Sequence, residues 1–211
     1  MPRTPQERQQ EFEQKWKMSP SLATLRLFDH ARDEAVSFQH NYIGTEHLLL
    51  GSILTPESRA PLVRLGLSLP KVRSAVEFII GKGERPVFGE TIGFTPRSNK
   101  AIELGVDEAR RLNDIDFQPD HVILGILREG EGVAAGVLES FGISLDRLRS
   151  NVIWERQNRR EALKIGRLPE GPSLDSLHAV RALLVDQNFN PSHKLQIDAV
   201  LKQLVNTYKP Q

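Results

Sequence analysis

Thr45-Glu46-His47-Leu48-Leu49-Leu50-Gly51 returns in altered form as Pro119-Asp120-His121-Val122-Ile123-Leu124-Gly125, 74 residues further along the chain. Upstream, Asp33-Glu34-Ala35 stands above Asp107-Glu108-Ala109 at the same offset. Downstream, Gly66-Leu67-Ser68-Leu69 matches Gly142-Ile143-Ser144-Leu145, and Arg73-Ser74 matches Arg149-Ser150, now at an offset of 76. Two extra residues in one loop of the second copy account for the change. Shared order over roughly fifty residues with one small insertion marks an internal repeat, and a repeat dictates the architecture before any single element does.

Each copy reads as four helices. Leu22, Leu25, Phe28, Ala31, Ala35 and Phe38 recur at helical spacing, and Ser21 is placed to cap their helix. The core face repeats: Phe28, Ala31, Ala35 and Phe38 fall above Ile102, Gly105, Ala109 and Leu112. Thr45 is the expected N-cap of a second helix to about Leu54. Pro61 is expected in the first turn of a short third helix ending near Gly66, and Pro70 starts a fourth that ends near Gly81 or Gly83. Thr95-Pro96 opens the second copy, with helices near 95–113, 119–129, 132–141 and 145–157. Strand signals are poor throughout. The expected fold is all-α: two pseudo-symmetric four-helix repeats plus a C-terminal helical extension. The expected boundaries are an N-terminal extension 1–19, repeat one 20–83, linker 84–93, repeat two 94–157 and extension 158–211.

Outside the repeat, residues 5–18 read as a polar helix, loose or docking. Arg156, Arg159, Arg160, Lys164 and Arg167 make a basic run that Leu168-Pro169-Glu170-Gly171-Pro172 breaks. Ser173 to about Asp186 and Pro191 to about Tyr208 read as two amphipathic helices.

Composition excludes several classes. The 211 residues hold 39% hydrophobic and 26% charged side chains, with a formal net charge of +1. No global basic excess announces nucleic acid or an anionic membrane. Charge is uneven along the chain, however: net −3 over residues 21–153 and net +3 over 154–211. There are no cysteines, so thiol catalysis, disulfides and Cys-type zinc sites are excluded. No signal-like or membrane-spanning apolar run is present, which leads us to expect a cytoplasmic protein.

The stretch Asn41-Tyr42-Ile43-Gly44-Thr45-Glu46-His47-Leu48-Leu49-Leu50-Gly51 resembles the hallmark of the Clp N-terminal repeat family. Leu127-Arg128-Glu129-Gly130-Glu131-Gly132-Val133-Ala134-Ala135 and Phe94-Thr95-Pro96-Arg97 in the second copy are equally characteristic. The resemblance covers about residues 20–153 and is nearest the ClpC type. It implies a non-catalytic protein-binding module that docks substrates or adaptors of a Clp-type ATP-dependent protease. In the family that module precedes an ATPase. A P-loop needs a glycine-rich turn ending in Gly-Lys-Ser/Thr, and no such string occurs here; Gly81-Lys82-Gly83 lacks the spacing and the hydroxyl. The expected partners are a Clp-type ATPase or its adaptors and substrates, in the manner of stand-alone Clp-repeat proteins, with no cofactor and no membrane. Two rivals remain: a decoy that sequesters ligands of the Clp N-domain, and a nucleic-acid-associated regulator using residues 156–167.

The resemblance also implies a candidate site. Some ClpC-type modules bind phosphorylated arginine through a hydroxyl at the start of the first helix and the acid of the Gly-Thr-Glu-His motif. Carried over by position, these are Ser21 with Glu46 and Thr95 with Asp120, each pair 25 residues apart. A carboxylate binds guanidinium in a fork, and helix N-terminal amides with a hydroxyl suit phosphate. Alternatively, all four residues only cap helices and bridge helix starts. Gln118-Pro119-Asp120 replaces Gly-Thr-Glu, which weakens the second site. His47 and His121 each stand alone, without a second ligand at helical spacing, and are expected to be structural rather than metal-binding or catalytic. Asp33, Glu34, Asp107 and Glu108 are expected as surface charge. Trp16 and Trp154 either anchor terminal segments or mark a binding hot spot.

Overall fold

A computed structural model of the chain describes residues 4–85, 87 and 92–164. The amphipathic stretches expected within 165–211 lie outside the described residues, as does part of the linker. The first repeat runs β1 (Ser19–Pro20), α2 (Leu22–Ser37), β2 (Tyr42–Ile43), α3 (Thr45–Leu54), α4 (Pro56–Arg64) and α5 (Leu69–Ile80), preceded by α1 (Pro5–Trp16). The second runs β3 (Gly93–Phe94), α6 (Pro96–Arg111), β4 (Asp116–Phe117), α7 (Pro119–Glu129), α8 (Val133–Ser140) and α9 (Leu145–Lys164). The two copies are superposable in sequence. Displacing α2 by the repeat offset gives α6 at both ends, and β2 gives β4. The fold is all-α, with two four-helix units.

Backbone reversals repeat as well. Gln39 and Asn113, each just past the first long helix of its copy, both take positive φ, at 60° and 55°. Asn tolerates that left-handed conformation better than Gln does. Gly66 and Gly142 make the same reversal after the third helix of each copy. Inside each unit the first two long helices pack as an antiparallel hairpin at a glycine. A Cβ on Gly51 would sit 2.6 Å from the Leu27 carbonyl oxygen, and one on Gly125 would overlap that of Ala101. The backbones therefore approach closely where the repeated motif ends in glycine. Leu27, Leu48, Leu49, Leu50, Val122 and Leu124 fill the resulting core and are essentially inaccessible.

Three boundaries differ from expectation: α9 runs on to Lys164 instead of ending near residue 157, and two helix starts are shifted. Gly44, not Thr45, is the N-cap of α3. The Gly44 amide donates to His47 Nδ1, so the histidine three residues on accepts the N-cap amide, the place a Glu or Gln takes in a usual capping box. Helix α4 starts at Pro56, and Pro61 lies inside it, buried. The earlier proline supplies the favourable first-turn position. Pro61 then removes only the bond its nitrogen would make to the Glu57 carbonyl.

The four two-residue strands join the copies. Strand β1 pairs in parallel with β4, Ser19 opposite Asp116 and Pro20 opposite Phe117. Strand β2 pairs with β3, Tyr42 opposite Gly93 and Ile43 opposite Phe94. Helix α1 docks: Phe12 is buried and stacks on Phe117 at 5.2 Å between ring centroids, and Arg8 pairs with Asp29. The chain divides into two compact units, Met1–Gln157 and Asn158–Gln211. Of the second, the described part is the end of α9. Among the described residues no helix is long and apolar enough to cross a membrane.

Candidate functional site

Ser21 and Thr95 are the N-caps of α2 and α6, accepting the Thr24 and Ser98 amides at 3.1 Å each. Their hydroxyls also meet those of Thr24 and Ser98, at 3.0 and 2.9 Å. Thr24 Oγ1 donates to the Phe117 carbonyl at 2.6 Å, and Ser98 Oγ to the Ile43 carbonyl at 2.8 Å. With those protons committed, Ser21 and Thr95 must be the donors within each hydroxyl pair. The backbone follows the same path: the Ser21 amide donates to Phe117 and the Thr95 amide to Ile43. Each hydroxyl pair thus ties one repeat to the strand of the other.

The consequence for the candidate site is a crossed pairing. Leu27 and Ala31, midway along α2, face Gly51, midway along α3. The starts of these antiparallel helices therefore lie at opposite ends of the hairpin, and Ser21 is remote from Glu46. Instead, Ser21 lies beside the strand leading to Asp120, and Thr95 lies beside the strand leading to Glu46. The pairing expected within each repeat is replaced by one between repeats. Thr45 adds another bridge, its Oγ1 accepting the Ala134 amide at the start of α8 at 3.2 Å.

Beside Glu46 the first repeat places two neutral imidazoles. The Gly44 amide donates to His47 Nδ1 at 2.9 Å, so His47 carries its proton on Nε2 and donates to His40 Nδ1 at 3.1 Å. Burial pushes the His47 pKa down to about 3, with the nearby His40 adding to the effect. Burial also lowers His40, against a hydrogen bond to the Gly81 backbone. Glu46 is 2% exposed, and its Oε1 lies 3.3 Å from His47 Nδ1, which is itself an acceptor. This close approach is therefore not an ion pair. Burial raises the Glu46 pKa, against hydrogen bonds from its own backbone and the Thr45 side chain. Tyr42 stacks on His40 at 5.1 Å, and its pKa is raised by burial and by the Glu46 charge. His40, Glu46 and His47 bring ligand-type atoms within 4.8 Å of one another. The histidines are neither alone nor open, since their ring nitrogens are committed to each other, Gly44 and Gly81.

Around Asp120 the same positions are charged. The Gln118 amide donates to His121 Nδ1 at 2.9 Å, as in the first repeat. His121 Nε2 then meets Asp114 Oδ2, not a second imidazole, at 2.9 Å. Asp114 pairs with Arg156, whose Nη1 lies 3.4 Å from Asp120 Oδ2. Arg156 is 7% exposed and Asp120 3%. His40 and Asp114 are absent from the sequence expectations, and Arg156 enters them only as part of a solvated basic run. The first two occupy equivalent positions at the repeat offset.

Two other expectations are corrected. Glu34 and Glu108 are not surface charge; they are 4% and 1% exposed. Arg73 forks onto Glu34, and Arg149 and Arg128 close on Glu108. Their neighbours Asp33 and Asp107 remain outside the buried set, as residues one apart on a helix must. Trp154 is 47% exposed, with the Arg64 guanidinium 4.6 Å from its ring centroid. Trp16 packs against the core beside Phe12.

The description "Clp repeat (R) N-terminal domain" fits the chain twice, over residues 17–140 and 93–177. The negative regulator of genetic competence ClpC/MecB of Bacillus subtilis is 41% identical over 152 residues, which is 70% of this chain and 18% of that protein. The chaperone protein ClpB of Oceanobacillus iheyensis is 42% identical over 155 residues, 70% of this chain and 19% of that one. The chain therefore spans less than a fifth of the length of these relatives. Among solved structures, the N-terminal domain of ClpD from Arabidopsis thaliana aligns with a TM-score of 0.56 at 23% identity, over 65% of this chain and 94% of that one. The Hsp104 N-terminal domain from Candida albicans gives 0.54 at 15% identity, over 65% and 91%, and supports the fold alone. Paired matches to one repeat family, on a chain that repeats itself at the same spacing, settle the lineage: this chain belongs to the Clp repeat N-terminal domain family.

Proposed function

We propose that the chain is a non-catalytic docking module for a Clp-type ATPase–protease system, binding segments of substrates or adaptors. Membership of the family supports the docking role. The single observation that carries a ligand class is Glu46. It is a buried carboxylate with no Lys or Arg paired to it among the described residues, whereas the equivalent Asp120 lies beside a guanidinium. A buried acid lacking a cation gains more than an exposed one from a guanidinium brought by a partner. Thr95 and the amides at the start of α6 stand across the strand pair from Glu46 and suit a phosphate carried on that guanidinium. Phosphoarginine offers both groups. The Glu46 side chain folds back over Gly44, where a Cβ would collide with it; rotation away from Gly44 is the movement that entry requires.

Calorimetric titration of the whole chain with free phosphoarginine tests this reading, alongside Glu46→Gln. Saturable heat, weakened about ten- to a hundredfold in the variant, is the expected result, the size of a lost charge-assisted hydrogen bond. Absence of saturable heat with folded wild-type protein, or equal affinity in the variant, rejects it.

A further inference from the structure

The two copies differ most where their acids lie, and they differ as a set. At the repeat offsets, His40 and Ile80 in the first copy correspond to Asp114 and Arg156 in the second. His40 accepts from His47 in the first copy, and Asp114 takes that place beside His121 in the second. At the matching position of α5, Ile80 packs as a partly buried apolar residue. In α9 that position sends a guanidinium inward to Asp114 and Asp120. The extra acid and the extra base compensate one another: either alone would leave an uncompensated buried charge.

We infer that Arg156 is an internal ligand. It places on Asp120 the group that a phosphoarginine-bearing partner would place on Glu46, so the second-repeat site is closed from within and the chain offers one guanidinium site. The identity of the external ligand rests on the reading above; the occupancy of Asp120 by Arg156 rests on the two copies alone. The first copy also shows what an unfilled second copy needs, namely His at 114 and Ile at 156.

Four proteins test the pairing: wild type, Asp114→His, Arg156→Ile and the double variant. Urea unfolding of each is expected to show a large loss of midpoint for Arg156→Ile and recovery of most of it in the double variant. Additive losses would overturn the pairing, with no ligand involved. Phosphoarginine titration then counts sites. Wild type is expected to bind one equivalent, weakened about ten- to a hundredfold in Glu46→Gln. The folded double variant is expected to bind two, the second removed by Asp120→Asn. Two equivalents in wild type, or one in a folded double variant, overturn the one-site conclusion. No binding by any of the proteins removes the phosphoarginine reading and the site count with it, and the unfolding cycle separates that outcome from failure of the Arg156 assignment.

Discussion

His47 shows how one residue governs both structure and pH response. Its Nδ1 must be unprotonated to accept the Gly44 amide, and burial holds it so, with a pKa of about 3 against an ordinary value of 6.5. In the unfolded chain the imidazole takes a proton as pH falls below 6.5, and in the folded chain it does not until about 3. The unfolded state therefore binds more protons across that window, and stability falls as pH falls through it. The full effect is on the order of 4–5 kcal/mol by pH 3, at about 1.4 kcal/mol per unit; His40, also lowered, adds in the same direction. Glu46 acts oppositely. Its raised pKa means that the folded state takes up a proton first on acidification, which offsets part of the loss. Urea midpoints at pH 7 and pH 4.5 are expected to fall for wild type and to fall further for Glu46→Gln. A flat profile would show His47 to be protonated in the fold.

At the scale of elements, two short hydroxyl chains hold the repeats in register. Thr24 Oγ1 and Ser98 Oγ each reach a carbonyl of the opposite repeat from a fully buried position. Thr24→Val removes one clamp while keeping shape, and deprives Ser21 Oγ of its acceptor as well. The expected cost is about 1–3 kcal/mol, and Ser98→Ala is expected to cost a similar amount for the other clamp. The two clamps lie at different strand pairs and share no partner, so the double variant is expected to lose close to the sum; chemical unfolding measures this. These clamps also show what sequence reading reaches. Ser21 and Thr95 are legible as caps because capping is local: a hydroxyl, then an amide three residues on. That Ser21 belongs with Asp120 and not Glu46 is illegible, because the counts from Ser21 to Glu46 and from Thr95 to Asp120 are equal and say nothing of which hairpin end faces which repeat. Two-residue strands carry no periodic signal either, yet they make the crossing.

The whole molecule follows from a repeat that does not close on itself. The internal copy was legible because one helical register, stepped by a constant offset, survives all other divergence, as Gly51 and Gly125 at equivalent close approaches show. Buried charge was not legible. Glu34, Glu108 and Arg156 belong to residue types usually found outside, and each is buried against a partner far away in sequence: Arg73 of α5, Arg149 of α9, and Asp114 in the loop after α6. Such partners are set by tertiary packing, which lies beyond any window of sequence. The same interlocking predicts how the first unit unfolds. Strands, clamps and the Thr45–Ala134 bond all cross between copies, and Phe12 of α1 stacks on Phe117 of the second. Neither copy keeps these bonds when the other opens, so Met1–Gln157 is expected to unfold in one transition. The two tryptophans make the test direct. Trp154→Phe leaves Trp16, which packs beside Phe12, and Trp16→Phe leaves Trp154, a residue of α9 in contact with Arg64 of α4. Fluorescence of each variant and far-ultraviolet dichroism are expected to give coincident urea midpoints within each protein. A Trp16 transition displaced from the dichroism would show α1 detaching first, and a displaced Trp154 transition would show the second copy opening on its own, either of which contradicts a single cooperative core.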